Sequence, residues 1–438
     1  MSLPAHYPNA MRADDTPTLP ALIAAFGRIG LLSFGGPAAQ ISLMHQEVVD
    51  KRGWLTEQQF LGALSFCMLL PGPEAMQLAT YCGWLKRGTL GGLIAGGLFV
   101  LPGAAVIATL AALYVAYGDL PLVRGAFLGV QAAVVVIVIA ALRGLMRKAL
   151  IGPPAYLIAA LGFLAIFALG LPFPLIVLAS ALAGAFVLQG ADGDRPQVRA
   201  VPVRLQDTLR TVLIWGALWA APLALLILLD TPLTGFLLQL GLFFSKLAIV
   251  TFGGAYAVLA YMTQEVVQSY GWIDTQTMID ALGLAETTPG PLILVTQFVG
   301  HLAGHASAGW QGLALGGALT LWVTFTPCFL WIFSGAPYIE RLLAAPRLRA
   351  ALSGVSAAVV GVIANLSLWF ALHVLFPDGL GDVQDAGTLL SALDLAALAL
   401  TAFAALLTFG LRLGLLTTLG LTTLTALAWQ TLASGGVF

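Results

Sequence analysis

Long apolar stretches recur along nearly the whole chain, separated by short polar or charged segments. Apolar runs near or above about 20 residues predict membrane-spanning helices. We therefore predict an all-α polytopic membrane protein with about 11–13 membrane elements. The apolar stretches lie at about 19–49, 56–86, 89–117, 121–142, 150–170, 172–190, 211–229, 233–267, 276–306, 310–335, 348–375, 387–410 and 413–433.

Two of the early stretches are interrupted by residues that weaken a helix. The stretch 19–49 contains Phe34-Gly35-Gly36-Pro37, and the stretch 56–86 contains Pro71-Gly72-Pro73. Proline removes a backbone donor, and glycine permits unusual backbone angles. Each stretch either crosses the membrane as a broken helix or turns back as a hairpin of two half-helices. Hairpins would place Lys51 and Arg52 on the side that carries the other loop cations, which slightly favours them.

Both interruptions recur later in the chain. With an offset of 218, Phe26–Pro73 aligns with Phe244–Pro291 without a gap, and the two segments share the blocks FGG, QEVV, GW and PGP. The match resumes at an offset of 225, which pairs Pro102 with Pro327. This register indicates an internal duplication. An odd number of predicted spans separates the copies, so the second copy is predicted to be inverted. Inverted repeats with broken helices are typical of secondary transporters, whose substrate sites lie near the midplane.

Composition supports the membrane prediction and narrows the function. The chain is 59% hydrophobic and 9% charged, with mean hydropathy +0.95, whereas soluble domains carry about 25% charged residues. Membrane lipid is therefore an expected partner. The net charge of −1 and the lack of a basic run argue against nucleic acid. The three cysteines suggest no disulfide framework, and we expect no metal, no cofactor and no enzymatic activity, because none of the common catalytic motifs is present.

The loop charges predict an orientation and a domain organisation. All the Lys/Arg clusters fall on one predicted face, which the positive-inside rule makes cytoplasmic. The clusters are Lys86/Arg87, Arg143/Arg147/Lys148, Arg195/Arg199/Arg204/Arg210, Arg341/Arg347/Arg349 and Arg412. The predicted units are a polar tail (1–18), a first repeat (19–190), a polar cytoplasmic linker (191–210), a connecting transmembrane helix (211–232) and a second repeat (233–438).

Two aligned cations inside the apolar stretches are the leading site candidates. Arg28 and Lys246 each lie six residues before a Phe-Gly-Gly block. Intramembrane charge is usually functional, although each side chain could instead reach the membrane interface. Two cations and the positive ends of half-helices would suit a small dianion. The predicted substrate-binding residues are Arg28, Lys246, Phe34, Gly35, Gly36, Phe252, Gly253, Gly254, Pro71, Gly72, Pro73, Pro289, Gly290 and Pro291.

A second repeated pair lies close to the predicted membrane edge. Gln46-Glu47 aligns with Gln264-Glu265. These residues could form a gate, cap a helix or carry a coupling proton, and a purely structural loop role fits the pattern equally well. All four are candidates for gating or coupling.

The doubled blocks FGGP/FGGA, QEVV, GW and PGP resemble the chromate ion transporter (CHR) family in its long, two-domain form. The resemblance covers about Leu19 to Ala433. It implies chromate efflux across the bacterial inner membrane, chromate resistance, a link to the analogous dianion sulfate, and drive from the proton-motive force. One departure is that Ala255 replaces the proline found at Pro37, which suggests that the two halves gate differently.

Several alternatives stay open at this point. A sulfate or other oxyanion importer would need the same site chemistry, and half-helix hairpins would serve an anion channel equally well. A membrane scaffold or receptor fits the duplication less well. Both a monomer and a homodimer agree with a chain that already contains two halves.

Overall fold

The computed structural model describes residues 16–188, 204–229, 231–252, 255–343, 345–377, 379 and 390–433. Of these, most are helical and none lies in a strand, which confirms the all-α prediction. Within this described part of the chain, six helical stretches are long and apolar enough to cross a membrane, namely Glu74–Tyr117, Pro121–Ala149, Leu205–Leu229, Pro232–Val250, Leu292–Tyr338 and Pro346–Leu375. Most of the predicted N-terminal tail and of the linker at 191–210 lies outside the described residues.

The first half begins with a helix and a shorter helix that follows its break. Its helices are α1 (Leu19–Leu32), α2 (Gly36–His45, continued by a π-helical turn at Gln46–Asp50), α3 (Glu57–Cys67), α4 (Glu74–Tyr117), α5 (Pro121–Ala149), α6 (Pro153–Phe167) and α7 (Phe173–Val187). Helix α8 (Leu205–Leu229) connects the halves and has no buried residue.

The second half repeats the order of the first. Its helices are α9 (Pro232–Val250), α10 (Ala255–Thr263, continued by a π-helical turn at Gln264–Ser269), α11 (Thr275–Thr287), α12 (Val295–Gly335, after a 3-10 turn at Leu292–Leu294), α13 (Ile339–Leu343, after a 3-10 turn at Ala336–Tyr338), α14 (Pro346–Leu375), α15 (Leu395–Ala405, continued by a π-helical turn at Leu406–Gly410) and α16 (Leu415–Ala433). The breaks and the π-helical turns after α2 and α10 therefore occur at equivalent positions in both halves.

Helices α4 and α12 each consist of a short arm and a long arm. The backbone reverses at Arg87-Gly88 and at Ala308-Gly309, where the glycines have φ values of 60° and 58°. The two arms then pack closely: a Cβ on Gly83 would lie 2.3 Å from the carbonyl oxygen of Gly91. Only glycine permits this approach. The reversal at Arg87-Gly88 agrees with the predicted boundary between the stretches 56–86 and 89–117.

The two halves share one core. Helix α4 packs against α12, and α5 packs against α14. Helix α14 also packs against α6 and α7 of the first half, while α5 packs against α15 and α16 of the second. Each contact of a first-half helix with the second half thus has a counterpart in which the roles of the halves are exchanged. Equivalent helices of the two repeats therefore meet at the interface between the halves. The inversion of the second repeat relative to the membrane remains a prediction.

Candidate functional site

The first interrupted element folds back on itself. Arg28 Nε in α1 lies 3.7 Å from Glu47 Oε1 in the turn that follows α2. Nineteen residues of straight helix would separate these positions by about 28 Å. The chain therefore reverses at Ser33–Gly35, as in the hairpin alternative. The second copy does the same, because Lys246 Nζ lies 5.7 Å from the ring centre of Tyr261.

The element with the Pro-Gly-Pro break also folds back. The rings of Phe66 in α3 and Tyr81 in the short arm of α4 are 5.9 Å apart. A straight helix would separate two residues at this spacing by about 22 Å. The break at 68–73 is thus the bend of a hairpin between two half-helices.

The four breaks meet in two reciprocal pairs. The Gly72 N–H donates to the Thr251 carbonyl at 2.9 Å, and the Gly290 N–H donates to the Ser33 carbonyl at 2.9 Å. Each Pro-Gly-Pro bend therefore binds the end of the helix before the Phe-Gly-Gly block of the other half. Such an exchange is the signature of a two-fold relation. The structure brings these predicted site segments together at the interface between the halves.

Glycine is needed at these bends for its backbone conformation. The φ values are 118° at Gly72, 91° at Gly290, 88° at Gly35 and 78° at Gly36, in a region that residues with a Cβ rarely adopt. Gly253 and Gly254, also predicted as site residues, lie outside the described residues.

Gln40 joins one of the two pairs with its side chain. Its Nε2 donates to the Gly290 carbonyl at 2.6 Å and lies 3.3 Å from the Ser33 carbonyl. The side chain is 2% exposed, so both bonds are buried. The aligned position in the second half is Val258, which makes the two junctions unequal. The repeat could not reveal this residue; its only sequence signal is a lone amide on a short apolar helix.

We expect Gln40→Leu to destabilise the protein by about 1–3 kcal/mol, because the buried Gly290 carbonyl loses its side-chain donor and the Ser33 carbonyl keeps only the Gly290 N–H. Thermal unfolding in detergent, followed by tryptophan fluorescence, measures the change. Gln58→Leu on the exposed surface of α3 is the matched control and should leave the unfolding temperature unchanged. Equal effects of the two substitutions would show that the Gln40 contacts do not hold the junction.

Three of the helical segments that start at the breaks lack side-chain caps. No side chain caps the first turn of α2, of α4 or of the 3-10 turn at Leu292–Leu294. Side chains do cap α1, α3, α9 and α11, through Thr18, Thr56, Thr231 and Asp274, whereas α5, α6, α7 and α14 also begin without a side-chain cap. The free N–H groups of an uncapped helix start attract anions. The breaks therefore present backbone donors of the kind that an oxyanion requires.

Glu47 is surrounded by cations of its own half. Its carboxylate is fully buried and contacts Arg28, Lys51 (2.7 Å) and Arg52. Arg28 is itself 54% exposed along its side chain. The candidate substrate ligand Arg28 and the candidate gating residue Glu47 are thus brought together as an ion pair. A carboxylate held by three cations is stabilised in its charged form.

The equivalent cluster of the second half is largely aromatic. Ser269 and Tyr270 replace Lys51 and Arg52, so Lys246 is the cation near Glu265. The Tyr270 ring stacks on Trp272 at 4.3 Å, whereas Arg52 lies over the ring of Trp54 at 5.4 Å. Lys246 sits over the ring of Tyr261, a cation–π geometry. The two halves thus hold their aligned glutamates differently.

Two buried acids of α11 have no counterpart in the first half. Glu286 is 5% exposed and accepts a bond from the Tyr256 hydroxyl at 2.6 Å. Asp280 is 4% exposed and accepts from Tyr114 at 2.8 Å and from Gln131 at 2.6 Å. All three donors are neutral. Among the described residues, neither acid forms an ion pair or a hydrogen bond with a cation. Comparison of the repeats misses them, because they align with Met68 and Gly62.

Comparison with known proteins identifies similar chains. The sequence model of the family described as "Chromate transporter" matches residues 20–185 and 238–427. The chromate transport protein of Cupriavidus metallidurans is 31% identical over 358 residues, which cover 81% of this chain and 83% of that protein. The chromate transport protein of Pseudomonas aeruginosa is 34% identical over 348 residues, covering 78% and 79%. The probable chromate transport protein of Synechococcus elongatus is 31% identical over 353 residues, covering 80% and 83%. No solved structure matches this chain.

Proposed function

Since this chain belongs to the chromate transporter family and is a multi-pass membrane protein, we propose that it exports chromate from the bacterial cytoplasm across the inner membrane as a secondary transporter. The observation that carries this proposal is the reciprocal pairing of the four helix breaks. It places uncapped helix starts from both halves at one interface. Sites of this kind suit a small oxyanion, because N–H donors and helix dipoles oppose its charge.

Arg28 and Lys246 supply the compensating positive charge in this proposal. Both lie on exposed faces of the helices that precede the Phe-Gly-Gly blocks. Here Arg28 is held by Glu47. An arriving dianion competes with that carboxylate for Arg28, so substrate binding and release of the ion pair are linked. Glu47 and Glu265 then serve as gating residues, with Gln46 and Gln264 in the same turns.

The inverted arrangement of the halves is part of the proposal. The long arm of α4 and the helices α5–α8 separate the two copies, which makes five crossings. If the short helices α6 and α7 turned back together, three would remain. Either number is odd, so the second copy would run in the opposite sense. The linker at 191–210 is cytoplasmic in this proposal, because its arginines favour the cytoplasmic side under the positive-inside rule.

The membrane potential drives export of a bare dianion. Two negative charges leaving an inside-negative compartment gain about 4.6 kcal/mol per 100 mV. This corresponds to a concentration ratio on the order of 1,000 at equilibrium. A proton gradient is therefore not required by the energetics.

We predict that chromate-loaded proteoliposomes lose chromate faster when a potassium diffusion potential makes their interior negative. A pH gradient without a potential should have little effect. The efflux should saturate with chromate concentration, as expected of a carrier. Efflux that follows only the pH gradient would contradict potential-driven export, and single-channel conductance would indicate an anion channel.

Sulfate is the second candidate substrate, because backbone donors and two cations recognise charge and tetrahedral shape rather than the central atom. Parallel flux measurements with chromate, sulfate and molybdate decide between them. Transport of sulfate without chromate would overturn the proposed substrate. Flux from proteoliposomes holding on average one chain each would show that a monomer suffices, whereas a homodimer would require two.

A further inference from the structure

Three arginines surround a concave site that contains none of the residues of the helix breaks. The site lies between the end of α5 and the turn that joins α15 to α16, and it encloses about 510 Å³. We call it the arginine pocket; its lining residues are Ala140, Arg143, Gly144, Arg147, Thr408, Phe409 and Arg412. Transport as proposed above makes no use of it.

The charges of the arginine pocket are uncompensated. Arg143 and Arg147 are four residues apart on one face of α5, where like charges repel each other. None of the three arginines takes part in an ion pair among the described residues. The pocket therefore offers three guanidinium groups to an anion.

The backbone at Arg412 is strained. Its φ of 56° makes Arg412 the only described residue other than glycine with a positive φ. Such a conformation is unfavourable for a residue with a Cβ, and it concentrates at functional sites. Glycine would relieve the strain but would remove the charge. An arginine at this position points to a use for its side chain.

The floor of the pocket is apolar and open. A Cβ on Gly144 would meet nothing within 4 Å, so the space between Arg143 and Arg147 is free. Phe409 is 40% exposed, and Leu406 and Leu411 beside it are 56% and 60% exposed. A free inorganic anion has no use for such a surface, whereas the acyl chains of a lipid do. The position at the end of a long apolar helix is also the depth of lipid headgroups.

We propose that the arginine pocket binds the phosphate headgroup of an anionic phospholipid. Arginine recognises phosphate through paired N–H donors. The bound lipid bridges α5 of the first half and the α15–α16 hairpin of the second, and thereby holds the two halves together at this edge.

The test measures thermal unfolding of the detergent-solubilised protein with added lipid. Phosphatidylglycerol should raise the unfolding temperature by roughly 3–5 °C, as expected for a ligand that binds the folded state. Phosphatidylcholine and inorganic phosphate should not. Arg143→Ala combined with Arg147→Ala should lose the rise. Arg204→Ala combined with Arg210→Ala, two exposed arginines at the start of α8, should keep it.

Two further variants separate binding from folding. Arg412→Gly relieves the backbone strain, so it should unfold no earlier than the wild type without lipid, yet it should lose the lipid-dependent rise. Gly144→Leu keeps all three arginines but fills the floor, and it should lose the rise as well. An undiminished rise in Arg143→Ala/Arg147→Ala would overturn the proposal. An equal rise with inorganic phosphate would identify a site for soluble anions and would overturn the lipid assignment.

Discussion

Replacement of both aligned cations, Arg28→Ala together with Lys246→Ala, should abolish most chromate transport. Hydrogen bonds to charged groups contribute about 1.5–3 kcal/mol each, so each single variant should lose roughly 10-fold to 100-fold in apparent affinity. The double variant should lose more than either one. Initial rates of radiolabelled chromate uptake into inverted membrane vesicles, measured over a range of concentrations, give the effect on KM and on the maximal rate. Wild-type rates in the double variant would exclude both residues from the site.

The contact between Arg28 and Glu47 requires a control for indirect effects. A variant at Arg28 also removes one of the three cations around Glu47. Lys51→Ala removes another of these cations without touching α1, and if Arg28 is a ligand it should change the KM for chromate much less than Arg28→Ala does. If Glu47→Gln rescued the KM of Arg28→Ala, the arginine would act through the gate and not as a ligand.

Much of the fold follows from the sequence because the governing patterns are local. Apolar runs and helix-breaking blocks identify the membrane elements. The duplicated block also locates the breaks, since a bend such as Pro71-Gly72-Pro73 depends on residues that stand next to each other. The pattern left two alternatives for each interrupted element, and the contacts Arg28–Glu47 and Phe66–Tyr81 decide for hairpins.

The sequence does not predict the contacts that assemble the site, because these contacts are backbone hydrogen bonds between residues far apart in the chain. Neither the bond from Gly72 to Thr251 nor the bond from Gly290 to Ser33 requires a particular side chain. Gln40 and Glu286 align with apolar residues of the other half, so comparison of the two repeats does not single them out. Arg28 and Lys246 are predicted as substrate ligands from their positions inside apolar stretches and from their alignment, and that role remains a prediction.

Gly103→Ala should be strongly damaging, because Gly103 packs against the Pro289-Gly290-Pro291 bend where the two halves meet. A Cβ at Gly103 in α4 would lie 2.1 Å from the Pro289 carbonyl oxygen and 2.6 Å from Leu294 Cδ1. The obstructing atom is backbone, so relief requires the Pro-Gly-Pro bend to move. That movement would pull the Gly290 N–H away from the Ser33 carbonyl. Overpacking costs about 1–3 kcal/mol in well-packed cores, and more where backbone must shift. We expect a lower unfolding temperature and a near-complete loss of chromate transport.

The chain supplies two matched controls for this prediction. Gly97→Ala adds the same methyl group to the same helix, but its Cβ would meet nothing within 4 Å. It should transport normally and be unchanged or slightly more stable, because alanine favours a helix over glycine by up to about 1 kcal/mol. Cys328 is the residue equivalent to Gly103 in the second half, and it lies against Gly72, where the junction already accommodates a side chain. Cys328→Ala should therefore be tolerated. If Gly103→Ala matched these controls in both unfolding temperature and transport rate, the junction would be adjustable, and close contact between the two halves at Gly290 would not be needed for transport.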